Sequence, residues 1–320
     1  MLARACRSIA RPWPTGVGRA AFVLRPVHGR PLGELKRSTK LFADETVAPV
    51  LDPGRRRTKT GQLWAYARDD RPHTPKGAGG PEPPGVAYVY APDRRAGRPA
   101  AHLAGFTGVL QVDGYAGYRA LAEAGKVQLA YCWSHVRRRF YEINAAGPAP
   151  IAAEAVARIG RLYEIEAAIR GQSAEERRRA RQARTLPIIK ALKPWLAVQL
   201  ETVSRKSAMA EAIRYALARW DGLIRFLDDG RIELDSNAVE RAIRPIALGR
   251  KNHLFAGSDG GGDHWAILTS IIETAMMNGV DPEAYLADVL ARLVDRHPMS
   301  RIDELLPWAY AGTIPLAAVA

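Results

Sequence analysis

The sequence predicts an α/β fold, with a mixed sheet early in the chain, flanked by helices, and an all-helical stretch behind it. Three observations carry this. Short apolar or β-branched runs, bounded by Gly, Pro and Asp, recur up to about residue 133, as strands do. From residue 145 to 227 the pattern turns to alanine, leucine, glutamate and arginine, with apolar residues at helical spacing (Val156, Ile159, Leu162, Ile165, Ile169). The last part of the chain again reads as helix, over residues 265–278 and 281–295.

The elements follow in order. Residues 1–16 are expected to be irregular, because Pro12 and Pro14 block regular structure. Residues 17–24 suit a short helix. Residues 38–50 suit a first strand, with Asp44 and Glu45 inside it, where carboxylates are disfavoured. A solvent-facing pair on an edge strand is one explanation for them. Asp52-Pro53-Gly54 reads as a turn, and Arg55, Arg56, Arg57 and Lys59 as a basic loop. Further strands are expected at 62–68, 86–90, 109–112 and 127–133, separated by a Pro- and Gly-rich loop over 69–85 and by short helices at 99–106 and 118–124.

In the helical stretch, residues 175–184 (EERRRARQAR) are expected to form a solvated charged face. Residues 208–227 suit one amphipathic helix. Asp281 and Pro282 occupy N-cap and first-turn positions of the helix they open, and the segment LLPWAY at 305–310 is expected to dock. The resulting division is a core from 17 to 144 with five strands, helices over 145–227, a core helix with a Gly-rich loop over 228–262, and a helical region over 263–320.

Composition bounds the partners. The chain has 320 residues, 47% of them hydrophobic, enough for a real core, and a net charge of +14. Such a balance favours a polyanion, nucleic acid first and an anionic membrane surface second. No apolar run is long enough to span a bilayer. Two cysteines, Cys6 and Cys132, cannot form a disulfide framework, so a cytoplasmic protein is expected.

Most of the polar chemistry sits in residues 234–262, LDSNAVERAIRPIALGRKNHLFAGSDGGG. Glu240 lies there among Arg241, Arg244, Arg250, Lys251 and Asn252, ahead of a glycine run expected to be a flexible loop. Glu240 also lies three residues after Asn237, a capping-box-like spacing, and four before Arg244, so a helix cap or an ion pair explains it as well as a metal does. Two further carboxylates stand out. Asp44 lies within the first strand, and Asp113 ends a short apolar strand before a glycine, either at the edge of a sheet or as a turn aspartate that caps the next helix, 118–124. Three carboxylates form an all-oxygen donor set that suits Mg²⁺ or Mn²⁺. Two such ions about 4 Å apart serve in-line displacement at phosphorus. Cys132 and His135 are spaced like half of a zinc site, but structural zinc takes four ligands and no second pair stands nearby. His135 and Arg138 are read instead as helix-face residues near phosphate, or as a satisfied core edge.

Five segments together resemble the insertion sequence 66 family of bacterial DDE transposases: FADETVAPVLDPGRRRTKTGQLWAYARDD (42–70), PAAHLAGFTGVLQVDGYAGYRAL (99–121), YCWSHVRRRF (131–140), residues 234–261, and DPEAYLADVLARLVDRHP with RIDELLPW in the last part. The resemblance implies an RNase H-like core with an all-helical insertion between the second and third acidic residues. It implies that the catalytic and metal-binding triad is Asp44, Asp113 and Glu240, and that a cysteine-x-x-histidine element falls on Cys132 and His135. It further implies Mg²⁺-dependent cleavage at transposon ends and strand transfer into target DNA, by a homo-oligomer on DNA together with companion proteins of the same element. Members of the family carry an N-terminal zinc-motif and helix-turn-helix region that residues 1–16 do not match. Recognition of the element's ends is therefore expected to be impaired. A non-catalytic DNA-binding remnant that modulates an intact transposase is the alternative, and a nuclease of the same fold is a third reading.

Overall fold

The computed structural model describes residues 15–52, 57–74, 82–252 and 254–311. Residues 1–14 of the expected irregular start, the turn with Arg55 and Arg56, and part of the Pro- and Gly-rich loop lie outside these residues, while residues 15 and 16, also expected to be irregular, are helical. Five strands, β1 (Lys40–Asp52), β2 (Arg57–Arg68), β3 (Gly85–Ala91), β4 (Gly108–Val112) and β5 (Val127–Tyr131), form a mixed sheet in the order β3-β2-β1-β4-β5, flanked by helices. The chain divides into two compact units.

The first unit runs to Asp69 and includes Glu82–Gly108 and everything from Asn237 onward. It holds α1 (Thr15–His28), α2 (Pro31–Leu35), β1 to β3, α3 (Gly97–His102) and Gly108 at the start of β4. β1 and β2 pair antiparallel along their whole length, from Phe42 opposite Ala67 to Asp52 opposite Arg57. Arg57 and Lys59 are thus strand residues, and the expected basic loop is shorter than predicted: β-branched Thr58 and Thr60, between them, help extend the ladder. β1 is an inner strand, not an edge. Its early residues Leu41, Phe42 and Ala43 are buried. The Glu45 side chain is 2% exposed and pairs with Arg94, so the solvent-facing reading of the Asp44–Glu45 pair does not hold. Gly108 has φ +132, and a Cβ there would lie 2.2 Å from the Thr39 carbonyl, so only glycine fits.

β3 is an edge strand, and its outer backbone groups are covered. The helix Asp259–Met277 lays Ser270 and Thr274 along it. Thr274 Oγ1 accepts from Val86 N (3.1 Å) and donates to the Val86 carbonyl, while Ser270 Oγ accepts from Tyr88 N (2.8 Å). His28 Nε2 lies 3.1 Å from the Tyr88 carbonyl. Side chains thus stand in for a sixth strand and close an edge that would otherwise template aggregation.

This helix begins at Asp259, with the Ser258 hydroxyl accepting from Gly261 N. The glycine run is therefore largely a helix start and not a flexible loop. The cap holds the first turn despite glycine's poor propensity. Just before it, Ala256 pairs with the end of β1 through Leu51 N to Ala256 O and Ala256 N to Pro49 O, both 2.8 Å. The final helices behave as predicted. Asp281 caps Pro282–Val294 by accepting from Ala284 N, and Leu305 and Leu306 dock into a core shared with Leu24, Val27, Ile271 and Tyr285.

The second unit comprises Asp70–Pro81 and Val109–Ser236. It contains most of β4, α4 (Arg119–Glu123), β5 and a run of helices: α5 (Trp133–Ala145), α6 (Pro150–Ala168), α7 (Ala174–Ala180), α8 (Leu186–Thr202), α9 (Ala208–Leu217) and α10 (Trp220–Ile224). Trp133, expected at the end of a strand, starts α5. It packs edge-on to Trp220, with centroids 5.8 Å apart, and donates from Nε1 to the Leu223 carbonyl. The single helix expected over 208–227 is broken at Arg219, whose φ/ψ of −115/10 is not helical.

The largest departure concerns residues 175–184. They are helical, with a widened π turn at Arg181–Thr185, and Glu175, Glu176, Arg179 and Arg184 do face solvent, but Arg177 and Arg181 do not. Arg177 and Arg181 are 2% and 0% exposed. Arg181 forks onto both oxygens of Glu166 (2.7 Å each) and donates to the Phe226 carbonyl; Arg177 reaches Glu166 and Glu233. A charge run predicts solvent exposure only while no buried carboxylate answers it, and here Glu166 and Glu233 do. Arg178 and Arg179 do face solvent, paired with Glu175.

A candidate active site of half-buried carboxylates

Two of the three predicted acids lie in the first unit. Asp44 stands on β1, two residues from Phe42 and four from Ala48, and so on the same face as both. That face is covered by the helix Asn237–Gly249, α11 of the chain, which packs on β1 and β2. Its Val239, Ala242, Ile243 and Ile246 recur at helical spacing, are buried, and join Phe42, Ala48, Leu63 and Ala65 in one core. The Tyr88 hydroxyl, buried on β3, donates to the Ala242 carbonyl at 2.7 Å and fixes the helix on the sheet. Pro245 lies inside α11 on its exposed side, where the backbone bond it deletes faces solvent.

Glu240 borders the apolar stripe and is half-buried, as are Asp44 and Asp113. α11 starts at Asn237, so Asn237 is a helical residue and not a flanking cap. The opposite face of α11 carries the exposed Arg241 and Arg244, and Lys251 and Asn252 are exposed just beyond it. Two of the predicted cations have structural partners: Arg241 lies 3.7 Å from the buried Asp69, and Arg250 donates to the Val47 carbonyl at 2.8 Å. Asp44 Oδ1 accepts from the Glu45 amide at 2.8 Å.

Asp113 belongs to the second unit and follows β4 directly. Its Oδ1 accepts from Tyr115 N at 2.9 Å in a local turn, but it does not cap the helix expected next: the short helices Ala116–Tyr118 and Arg119–Glu123 have no side-chain cap. Four residues that the sequence did not single out surround this turn. The Tyr215 hydroxyl donates to the Asp113 carbonyl, Arg219 donates to the Gly114 carbonyl, Arg139 stacks on Tyr215, and Gln111 clamps residue 233 through both its amide atoms. Tyr215 and Arg219 lie about a hundred residues downstream, and no local pattern announces them. In the same unit, His135 is half-buried on the first turn of α5, and the exposed Arg138 pairs with Glu142 at i+4. Cys132 is buried; its sulfur accepts from Ser236 N at 3.3 Å and lies 2.9 Å from Ser134 Oγ.

Asp44, Asp113 and Glu240 each offer carboxylate oxygen, the kind of donor that hard divalent cations take. Residues 8–264 match the family model described as Transposase IS66 family, and residues 270–308 match the IS66 C-terminal element. The chain belongs to the IS66 transposase family. Three relatives from Sinorhizobium fredii (strain NBRC 101917 / NGR234) are similar over most of the chain and are described as uncharacterized proteins. They are y4jD, 45% identical over 91% of this chain, y4qI, 44% over 95%, and y4hP, 42% over 94%. This IS66-family chain spans 57%, 56% and 57% of their respective lengths, a little over half of each.

Proposed function

We propose that this IS66-family chain carries the catalytic region of a DDE transposase, with an RNase H-like core that cleaves DNA strands and transfers them to target DNA with Mg²⁺. The observation that supports this most is the coincidence of family and chemistry. The match over residues 8–264 contains all three acids, and each is half-buried beside a well-packed element instead of lying on an open surface.

In this reading Asp44, Asp113 and Glu240 together hold the metal, with Mn²⁺ as substitute. The metal would supply charge at the attacking and leaving oxygens of the displacement. The protein's own part is to fix these carboxylates and to bind the backbone of the DNA. Packing of α11 on β1 sets the placement of Asp44 and Glu240 within their unit. Arg244, Lys251 and Asn252 are exposed and suited to phosphates, with Arg241 and Arg250 adding positive charge around them. His135 and Arg138 would contribute a second phosphate-facing group. Transposon ends and target DNA are the partners, with assembly of several copies and companion proteins on them.

The test is incubation of the protein with Mn²⁺ or Mg²⁺ and end-bearing supercoiled DNA. Nicking and strand joining are expected, and both should vanish in Asp113→Asn. Full activity in that variant would sink the assignment. Nicking without joining would favour a nuclease. Salt-sensitive DNA binding with no cleavage under either metal would favour a DNA-binding modulator.

A further inference from the structure

The residues around Asp113 form a built device. Tyr215, near the end of α9, donates its hydroxyl to the Asp113 carbonyl at 2.6 Å. Two guanidinium groups sandwich its ring, Arg219 at 3.9 Å and Arg139 at 4.0 Å from the centroid. Arg219 also donates to the Gly114 carbonyl (3.2 Å) and to the Tyr215 carbonyl (3.4 Å). Gly114 has φ +105, and a Cβ there would lie 2.7 Å from Arg219 Nε and 2.8 Å from the Tyr215 hydroxyl. A side chain at 114 would therefore have to displace both residues. The carboxylate in turn holds the Tyr115 amide. The peptide of the acid is thus held by residues far away in the sequence, and its carboxylate by the neighbouring Tyr115 amide.

We propose that Tyr215 and Arg219 are positioning residues for Asp113, through which the helical part of the second unit sets the geometry of one metal ligand; this rests on Asp113 being such a ligand. Neither residue touches the reacting atoms. Their effect is on where the carboxylate sits, and so on how tightly a divalent ion is held.

Tyr215→Phe is the informative change, because it keeps the stacked ring and removes only the hydroxyl. Hydrogen exchange at the Tyr115 amide and Mn²⁺ binding by electron paramagnetic resonance are measured on the full chain, beside Asp113→Asn. The expected result is Mn²⁺ binding weakened roughly three- to tenfold, the range of one lost hydrogen bond, with faster exchange at Tyr115 and a melting temperature lowered by only a few degrees. Nicking by Tyr215→Phe should recover toward wild type when Mn²⁺ is raised, which a merely structural defect would not do. Wild-type Mn²⁺ affinity in Tyr215→Phe, beside a loss of affinity in Asp113→Asn, overturns the positioning role. If Asp113→Asn itself binds Mn²⁺ normally, the metal reading of Asp113 falls. Exchange at Tyr115 then decides positioning alone: faster exchange sustains it, and an unchanged rate overturns it.

Discussion

The two units hold their acids by different physics. In the first unit, Asp44 and Glu240 ride on a strand and a helix whose mutual placement comes from apolar packing among Phe42, Ala48, Val239, Ile243 and Ile246. In the second, Asp113 sits on a turn held by polar groups: a tyrosine hydroxyl, an arginine fork and an amide. Packing spreads its effect over many small contacts. A polar clamp concentrates its effect in one or two bonds.

The contrast can be broken at several points. The largest effect is expected at the acids themselves. Asp44→Asn and Glu240→Gln should each lower strand cleavage about a thousandfold, since metal charge stabilisation is worth several kcal/mol and each 1.36 kcal/mol is tenfold in rate. Circular dichroism melts of these variants should stay near wild type. Retained cleavage in either would remove that residue from the site.

Next in size is Glu166→Ala. It strands Arg177 and Arg181 without their shared carboxylate and should cost about 3–5 kcal/mol in chemical denaturation, as breaking a buried pair does. A cost under about 1 kcal/mol, the range of an exposed pair, would mean the network is solvated after all.

A smaller effect concerns Glu273, in the helix that covers β3. Burial raises its carboxyl pKa to about 7. An acid whose folded pKa is raised binds more protons in the folded state, so stability should fall as pH rises from about 4.5 to about 7 and level off above. The melting temperature should be higher at pH 5 than at pH 8 by more in the wild type than in Glu273→Gln. Parallel curves for the two proteins would show that burial of this carboxyl has no pH-linked cost.

The smallest effect is at the surface. Arg244→Ala and Lys251→Ala should leave stability alone and each lower the salt slope of DNA binding by about one. An unchanged slope would take that residue off the DNA.

The sequence by itself determined the local elements and the family. Strand alternation, the helical period, the Asp281–Pro282 start and the motif segments each depend on neighbours in the chain, and so they are legible there. It also drew attention to Asp44 and Asp113, because an acid inside a strand or at the end of one breaks the local pattern, and to Glu240 because it stands among cations. Tertiary structure decided the rest. Residues 175–184 look like a solvated run in any local reading, and only the arrival of Glu166 and Glu233 from other elements buries Arg177 and Arg181. The glycine run starts a helix because Ser258 caps it and Ala256 pairs with β1. The Tyr215–Asp113 bond joins residues about a hundred apart. Such contacts depend on which elements meet, and chain spacing carries no record of that.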